Sequence, residues 1–305
     1  MERFNIKKLV HVLLAVMLIS YGIGAIIIFT SPKAIFSREK GNLDVDEIKT
    51  VTLKGIKDIK VNVSSASINI IPSSEAELKA HLNGNIISMS PYRKPDLECY
   101  ASGSTLYVNV KTNTKITLGF YSSSLKLDVY LPSSYIDELK LTSSSGSIHV
   151  KELELSSLQC NSSSGSTTID NVIADNFDHS SSSGSLTING LTSKTSKLSS
   201  SSGSMRVNGF TGNLKASSSS GSTRVEYLSF DNDISITASS GSVELKLPKT
   251  AEFYLDANAS SGSIRSDFPV AMTGSSDKRH LKGVVGNDKN KVRINTSSGG
   301  IRITK

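Results

Sequence analysis

The phrase Ser-Ser-Ser-Gly-Ser opens the stretch SSSGSIHV at residues 143–150, and it recurs four more times before residue 223. The glycines of these copies are Gly146, Gly165, Gly184, Gly203 and Gly221, at spacings of 19, 19, 19 and 18 residues. Looser copies surround Gly241, Gly262 and Gly299, and Ala66 takes the glycine's place in another copy at 64–68. Such a period is typical of a solenoid, in which each repeat forms one coil stacked on the last.

Apolar residues keep fixed distances from each glycine, which distinguishes the repeat from a flexible serine–glycine linker. Around Gly146 they are Leu139 and Leu141 before it and Ile148 and Val150 after it, and the other copies follow the same scheme. Two-residue spacing on both sides predicts two strands, each with one side facing inward. The inward parity changes across the glycine, which indicates a corner where glycine takes a positive φ. The repeat therefore predicts an all-β fold, a parallel β-helix (β-solenoid) of about 19-residue coils.

Small polar residues mark the corners of the predicted coil. The serines before each glycine are small enough for a tight bend, and their hydroxyl groups can hydrogen-bond from one coil to the next. Asn189-Gly190 and Asn208-Gly209 predict a second corner.

Composition limits the classes of function. Lys and Arg total 34 against 27 Asp and Glu, which gives a net charge of +7, while aromatic residues are 6% of the chain and Trp is absent. No basic stripe is interleaved with stacking aromatic residues, so we expect no nucleic-acid partner. Of the two cysteines, Cys160 occupies an inward position and is expected to be a buried free thiol. A disulfide with Cys99 is the less favoured alternative.

The N-terminal segment 9–30 is 22 residues long and carries no formal charge. As a helix it would measure about 33 Å, enough to cross a lipid bilayer. A cleavable signal peptide is the competing interpretation, but the apolar run is long for one and no cleavage site follows its end. We therefore expect a cytoplasmic tail (1–8), a single-pass transmembrane signal anchor in the cell membrane (9–30), a polar tether (31–50) and an extracellular domain (51–305).

The predicted extracellular domain has two parts. Residues 51–132 alternate like strands without the strict repeat, so they are expected to form irregular coils that cap the stack. Residues 133–305 carry the Ser-Ser-Gly-Ser coils, with a polar insert at 270–290 that is expected to form a loop.

Several segments together resemble one known family. They are Ile59–Ile71, Leu125–Pro132 ahead of Leu139–Val150, the Ser-Ser-Gly-Ser array, and GVVGNDKNKVRINTSSGGI at 283–301. The chain is similar in these segments to the bacterial "putative adhesin" family, a domain of unknown function that includes LiaG-like membrane-anchored proteins. The resemblance implies a β-helix on the outside of a bacterial cell. It brings no catalytic or binding residues to this sequence.

The motifs that would indicate an enzyme are weak. Ser123-x-x-Lys126 and Ser275-x-x-Lys278 match only the first element of penicillin-recognising enzymes, and the Gly-x-Ser-x-Gly elbow is absent. The five histidines have no metal-ligand spacing, and His179 falls at an inward position. We therefore expect no catalytic, metal or cofactor site and no enzymatic activity.

The outward position three residues after each glycine is the candidate binding site. Arginines occupy it in four coils: Arg206, Arg224, Arg265 and Arg302. Such a column could hold an anionic polymer, because the guanidinium fork matches phosphate geometry. A solvated face partly neutralised by Glu244 is the simpler alternative, and the uncharged serine corner is a second candidate surface for glycans or a regular lattice such as ice.

The leading functional hypothesis is a non-enzymatic, membrane-anchored surface protein, either adhesin-like or an envelope scaffold. Its candidate partners are an anionic cell-wall polymer, a glycan or an envelope protein, in addition to the bilayer that holds residues 9–30. The alternative is an accessory of an envelope-stress signalling system that acts through its membrane helix. A third hypothesis is a carbohydrate-active β-helix enzyme, although no carboxylate pair occupies the outward column.

Overall fold

The computed structural model describes residues 13–14, 16–17, 41–88, 94–112, 121–272 and 277–305. The predicted cytoplasmic tail (1–8) lies outside them, as does the predicted transmembrane anchor (9–30) except for four of its positions. Across the described part of the chain, no helix combines the length and the apolar character needed to cross a membrane. Of the predicted tether (31–50), the described half, 41–50, belongs to the first β-strand.

The chain divides into two compact units. The small unit consists of 1–43, 86–92 and 114–122, and its described residues are helical at 13–14 and 16–17 and extended at 41–43, 86–88 and 121–122. The large unit consists of 44–85, 93–113 and 123–305 and contains the whole repeat.

The segment before the strict repeat combines parallel strand pairs with an antiparallel hairpin. Strand β2 pairs in parallel with β6, and β3 pairs in parallel with β7, whereas β5 and β6 form an antiparallel hairpin. The strands of this segment are β1 (Gly41–Thr52), β2 (Asp58–Val63), β3 (Ser67–Ser73), β4 (Glu77–Ser88), β5 (Asp96–Ser102), β6 (Thr105–Lys111) and β7 (Tyr121–Pro132).

The Ser-Gly repeat forms stacked parallel coils. Its strands are β8 (Glu138–Ser143), β9 (Ile148–Lys151), β10 (Glu154–Ser162), β11 (Thr167–Ser181), β12 (Leu186–Ser200), β13 (Met205–Ser218), β14 (Thr223–Tyr227), β15 (Ile234–Ala238) and β16 (Val243–Lys246). Equivalent positions of successive coils are direct partners; for example, Thr167 pairs with Ile148 on one side and with Leu186 on the other. Inward and outward residues alternate along each strand, so aliphatic columns fill the interior. The all-β, β-solenoid-like fold predicted from the repeat is confirmed.

The C-terminal segment closes the stack with antiparallel strands. Its strands are β17 (Phe253–Ser261), β18 (Ile264–Ser266), β19 (Ala271–Met272), β20 (His280–Val285), β21 (Lys291–Ser298) and β22 (Ile301–Thr304). Strand β20 pairs antiparallel with both β17 and β19. The polar insert at 270–290, expected to be a loop, therefore contains strand structure, and the expectation was wrong on this point. An antiparallel strand there covers an edge that would otherwise expose unpaired backbone groups.

Coil order departs from chain order at both ends of the stack. Strand β21 lies between β15 and β17, and β22 lies between β16 and β18. The last coil of the chain therefore lies between two coils that precede it in the sequence. At the other end, β2 lies between β6 and β8, and β3 lies between β7 and β9. Strictly sequential stacking, which the repeat suggests, therefore holds only for the middle coils.

Candidate binding faces

The glycines of the Ser-Ser-Gly-Ser copies, here called the phrase glycines, are required because neighbouring coils approach each other closely at these positions. A Cβ atom built on Gly184 would lie 2.0 Å from the carbonyl oxygen of Gly165, and every other phrase glycine meets its neighbour's carbonyl at 1.8–2.3 Å. None of the phrase glycines has a positive φ, so the expected left-handed conformation at this corner was wrong. The second corner does use it, since Gly190 and Gly209 have φ values of +84° and +66°.

A buried hydroxyl group closes most of the glycine corners from within its own coil. Three residues before Gly184, the Ser181 hydroxyl donates a hydrogen bond of 2.8 Å to the Gly184 carbonyl oxygen. The same bond is made by Ser143, Ser162, Ser200, Ser218 and Thr296. The main hydroxyl bond therefore lies within a coil rather than between coils, while backbone N–H groups of the corner serines continue the ladder to the previous coil. The repeated serine is explained by structure before any binding role is considered.

The strand after each corner presents an outward surface that we call the serine–arginine face: the residues one and three positions after each glycine. Its second column runs in spatial order His149, Thr168, Thr187, Arg206, Arg224, Glu244, Arg302, Arg265. All four predicted arginines thus share one column. Four coils of this face form a shallow groove of about 350 Å³ in which Ser185, Ser204, Ser222 and Ser242 line one side.

Of the four arginines, only Arg224 forms an ion pair within the described residues. The Arg224 guanidinium donates from Nε and Nη2 to Glu244 Oε2 at 2.9 and 2.5 Å. This bond relieves the repulsion between Arg206 and Arg224, which are direct partners on adjacent strands. Arg206, Arg265 and Arg302 make no ion pair within the described residues, so they are the free cations of this face.

At its other end the serine–arginine face continues into a polar ladder. Asp170 accepts hydrogen bonds from Asn189 at 2.8 Å and contacts His149 Nε2 at 2.7 Å, and Asn208 in turn donates to Asn189. Partial burial acts to raise the pKa of Asp170, but the bonds to Asn189 and His149 outweigh it and leave the pKa below its ordinary value. The carboxylate therefore stays charged and bridges neighbouring coils.

The strands before some of the corners carry a second basic surface that the sequence analysis missed. A groove of about 460 Å³ is lined there by Lys215, Lys291 and Arg293, and we call it the lysine groove. A signal for it exists, because Lys197, Lys215 and Arg293 stand six residues before Gly203, Gly221 and Gly299. The sequence therefore contains this set of cations, but it does not show the groove beside them.

The reactive side chains Cys160 and His179 are enclosed in the core, whereas Cys99 is half-buried. Cys160 and Cys99 are both free, and burial raises the pKa of each thiol, to about 11 for Cys99. His179 is fully buried, and its strand partners are Cys160 and Leu198. Neither ring nitrogen has a hydrogen-bond partner within the described residues. Burial lowers the pKa of His179 from 6.5 to about 4, so the ring is neutral. Within the described ranges no three His, Cys, Asp or Glu residues are grouped as metal ligands would be.

Comparison with known proteins identifies relatives by sequence and by fold. The sequence model of the Toastrack DUF4097 family matches residues 56–304. A solved putative adhesin from Bacteroides fragilis is 13% identical with a TM-score of 0.50, covering 87% of this chain and 98% of its own. A putative cell adhesion protein from Clostridium sporogenes (15% identical, TM-score 0.29, covering 86% and 99%) and a putative lipid binding protein from Parabacteroides distasonis (17%, 0.44, 85% and 97%) are also similar. No curated protein matches the sequence.

Proposed function

The chain belongs to the Toastrack DUF4097 family, and we propose that it is a non-enzymatic, adhesin-like protein displayed on a cell surface by its N-terminal segment. Residues 9–30 would span the membrane with the N-terminus in the cytoplasm, and the solenoid would lie outside. The proposed partner is an extended polymer of the cell envelope that carries hydroxyl and anionic groups. The family resemblance drawn from the sequence, to bacterial putative adhesins, is confirmed by this membership.

The observation that carries the proposal is the regular serine–arginine face. Parallel strands are spaced by about 4.8 Å, so the column one residue after the glycines repeats a serine hydroxyl at about that interval along most of the stack. The serine hydroxyls of Ser185, Ser204 and Ser222 lie beside Arg206 in one shallow groove. A polymer with regularly spaced hydroxyl and anionic groups can contact many coils at once, and the summed contacts give useful avidity even when each is weak.

Retention on purified cell-wall polymer tests the contact. The full-length protein in detergent micelles should be retained at low salt and released as salt increases, because the contact is partly ionic. Substituting Arg206, Arg265 and Arg302 with Ser should reduce retention, whereas substituting the ion-paired Arg224 alone should have a smaller effect. Retention that is unchanged by the triple substitution would remove this face from the proposal.

Two further experiments separate display from the competing hypotheses. External protease applied to intact cells should release the solenoid if residues 44–305 lie outside. Replacing 9–30 with an unrelated spanning helix should leave retention intact in an adhesin, but it should abolish regulation in a signalling accessory that acts through its helix. Turnover of wall glycans by the purified protein would instead indicate an enzyme and would overturn the proposal.

A further inference from the structure

The length of the coil changes next to the lysine groove. The repeat shortens from 19 to 18 residues between Gly203 and Gly221, and the strand register shifts between Thr192 and Thr195. At the same point Gly212 has a φ of +135°, and a Cβ atom on it would lie 1.8 Å from the Ser193 carbonyl oxygen. The groove of about 460 Å³ lies beside this irregularity, because Thr195 and its strand partner Asn213 both line it.

The charges that line the lysine groove are predominantly positive. Lys215, Lys291 and Arg293 are all exposed there, and Asp233 is the one carboxylate among the described residues that line the groove. Asp233 Oδ1 accepts the backbone N–H of Lys291 at 2.8 Å, so it is already bonded to the groove wall. Neither Lys215 nor Arg293 forms an ion pair with any residue that the structure describes. The groove thus carries a net positive charge with free donors.

Charges in the neighbouring coils leave this excess in place. On one side Lys197 is the direct strand partner of Lys215, which extends the positive column. On the other side Asp256 is the strand partner of Arg293, but its Oδ1 atom accepts a hydrogen bond from Asn258 rather than from the guanidinium. The side chains of Lys215 and Arg293 therefore remain available to an external anion.

Backbone and side-chain hydrogen bonds fix the rim of the groove. Asn213 Nδ2 donates to the Lys194 carbonyl oxygen at 3.0 Å, and Asn213 Oδ1 accepts the backbone N–H of Asp233 at 2.9 Å. A rim held in this way needs little ordering when a ligand enters, which lowers the entropic cost of binding. The groove is shallow and open, and these bonds hold its rim in place.

We propose that the lysine groove binds a linear chain of polyol or sugar units joined by phosphodiester groups. Lys215 and Arg293 flank Ser235 on successive strands, which places their Cα atoms about 10 Å apart along the stack. Phosphate groups on either side of a neutral unit would meet the two cations, while the hydroxyls of that unit would face Ser235 and Asn213. Arginine and lysine are suited to phosphate as bidentate and point-charge partners respectively. This site goes beyond the proposed function, because it lies on a different strand column from the serine–arginine face.

Affinity for poly(glycerol phosphate) tests the site, measured by calorimetry with the full-length protein in nanodiscs of zwitterionic lipid. The double variant Lys215→Ser/Arg293→Ser should weaken binding by at least about tenfold and reduce its salt dependence, because two charged contacts are lost. A charge-matched control, Lys140→Ser/Lys151→Ser, removes two cations elsewhere on the solenoid and should change affinity by less than about twofold. Uncharged dextran should not bind in the groove.

Three results would overturn the inference. They are unchanged affinity in the groove variant, an equal loss in the charge-matched control, and binding of dextran that the groove variant abolishes. A loss confined to the Arg206→Ser/Arg302→Ser variant would assign the anion to the serine–arginine face, so the lysine groove would fail while the proposed function stood. If the protein is not exposed on intact cells but still binds the polymer through Lys215 and Arg293, the proposed function fails while the lysine groove stands.

Discussion

Replacement of His179 by leucine should stabilise the protein and make it more resistant to acid. The imidazole is fully buried, and neither of its nitrogens has a hydrogen-bond partner among the residues that the structure describes. The equivalent position of the next coil is Leu198, so the interior of the solenoid already accepts leucine in this column. His179→Leu removes two unsatisfied polar atoms while filling a similar volume.

The expected gain has a pH-independent part and a pH-dependent part. A buried polar atom without a partner costs about 1–3 kcal/mol, so the variant should gain about 2 kcal/mol at pH 7. The folded-state pKa of His179 is about 4 against 6.5 in the unfolded chain. Stability linked to this group is therefore complete above pH 6.5 and is lost as the pH falls towards 4, because only the unfolded chain takes up the proton. At pH 4 this loss reaches about 3 kcal/mol, since one pKa unit corresponds to about 1.4 kcal/mol.

Urea denaturation of the full-length protein in mild detergent, followed by circular dichroism at pH 7 and pH 4, measures both parts. The advantage of His179→Leu over the natural protein should grow by about 3 kcal/mol between the two pH values. His280→Gln serves as the control, because it removes an imidazole that is exposed rather than buried. A leucine variant that is less stable at pH 7 and keeps the natural acid sensitivity would show that His179 has a partner or lies outside the core.

Three further substitutions or truncations test the corners and the C-terminal insertion. Gly184→Ala should destabilise the protein by about 1–3 kcal/mol in urea denaturation because its Cβ would overlap the Gly165 carbonyl, whereas Gly300→Ala, with no atom nearer than 3.5 Å, should cost far less. Equal costs for the two would refute the stacking argument. Ser181→Ala should lower the free energy of unfolding by about 1 kcal/mol through loss of its bond to the Gly184 carbonyl, while the exposed Ser182→Ala should be neutral in the same assay. Truncation after Gly286 removes β21 and β22, so backbone amides of β17 should lose their protection from hydrogen exchange; full protection would contradict the inserted coil order.

The inward columns could be predicted from the sequence because their physical signal is local. Two-residue alternation on both sides of each glycine specifies which side chains face the interior, and residues such as Ile148 and Ile188 are indeed fully buried. The shared column of Arg206, Arg224, Arg265 and Arg302 followed from the same register. A constant offset from one repeated glycine is enough to place a residue on a solenoid.

Coil order at the ends could not be predicted in this way. The edges of all coils offer similar backbone donors and acceptors and similar aliphatic columns, so the repeat alone does not determine which coil stacks on which. Strands β2 and β8 are adjacent in the stack although β3 to β7 separate them in the chain, and β15 and β21 are adjacent although β16 to β20 separate them. The reason for the glycines was likewise hidden, because a close approach between coils and a positive φ both favour glycine.

Specific contacts between outward side chains also depend on the three-dimensional arrangement. The Arg224–Glu244 bond arises between residues 20 apart in sequence and is visible only once the coil register is known. The lysine groove combines residues beside the one-residue shortening with Lys291 and Arg293 of the inserted strand. A column-by-column comparison finds the cations, but only the fold shows that they line a concavity.

Disulfide trapping between outward positions tests the stacked-coil arrangement most directly. Glu244 and Arg302 are direct partners on adjacent strands, and Arg302 is in turn the partner of Arg265. Under mild oxidation, Glu244→Cys/Arg302→Cys should therefore form an intramolecular disulfide, detected by mass spectrometry of the linked peptides. Glu244→Cys/Arg265→Cys should not, because its Cα atoms lie about 10 Å apart, beyond disulfide reach. Cross-linking of the second pair in preference to the first would contradict the inserted order of coils, and cross-linking of neither would contradict the shared column itself.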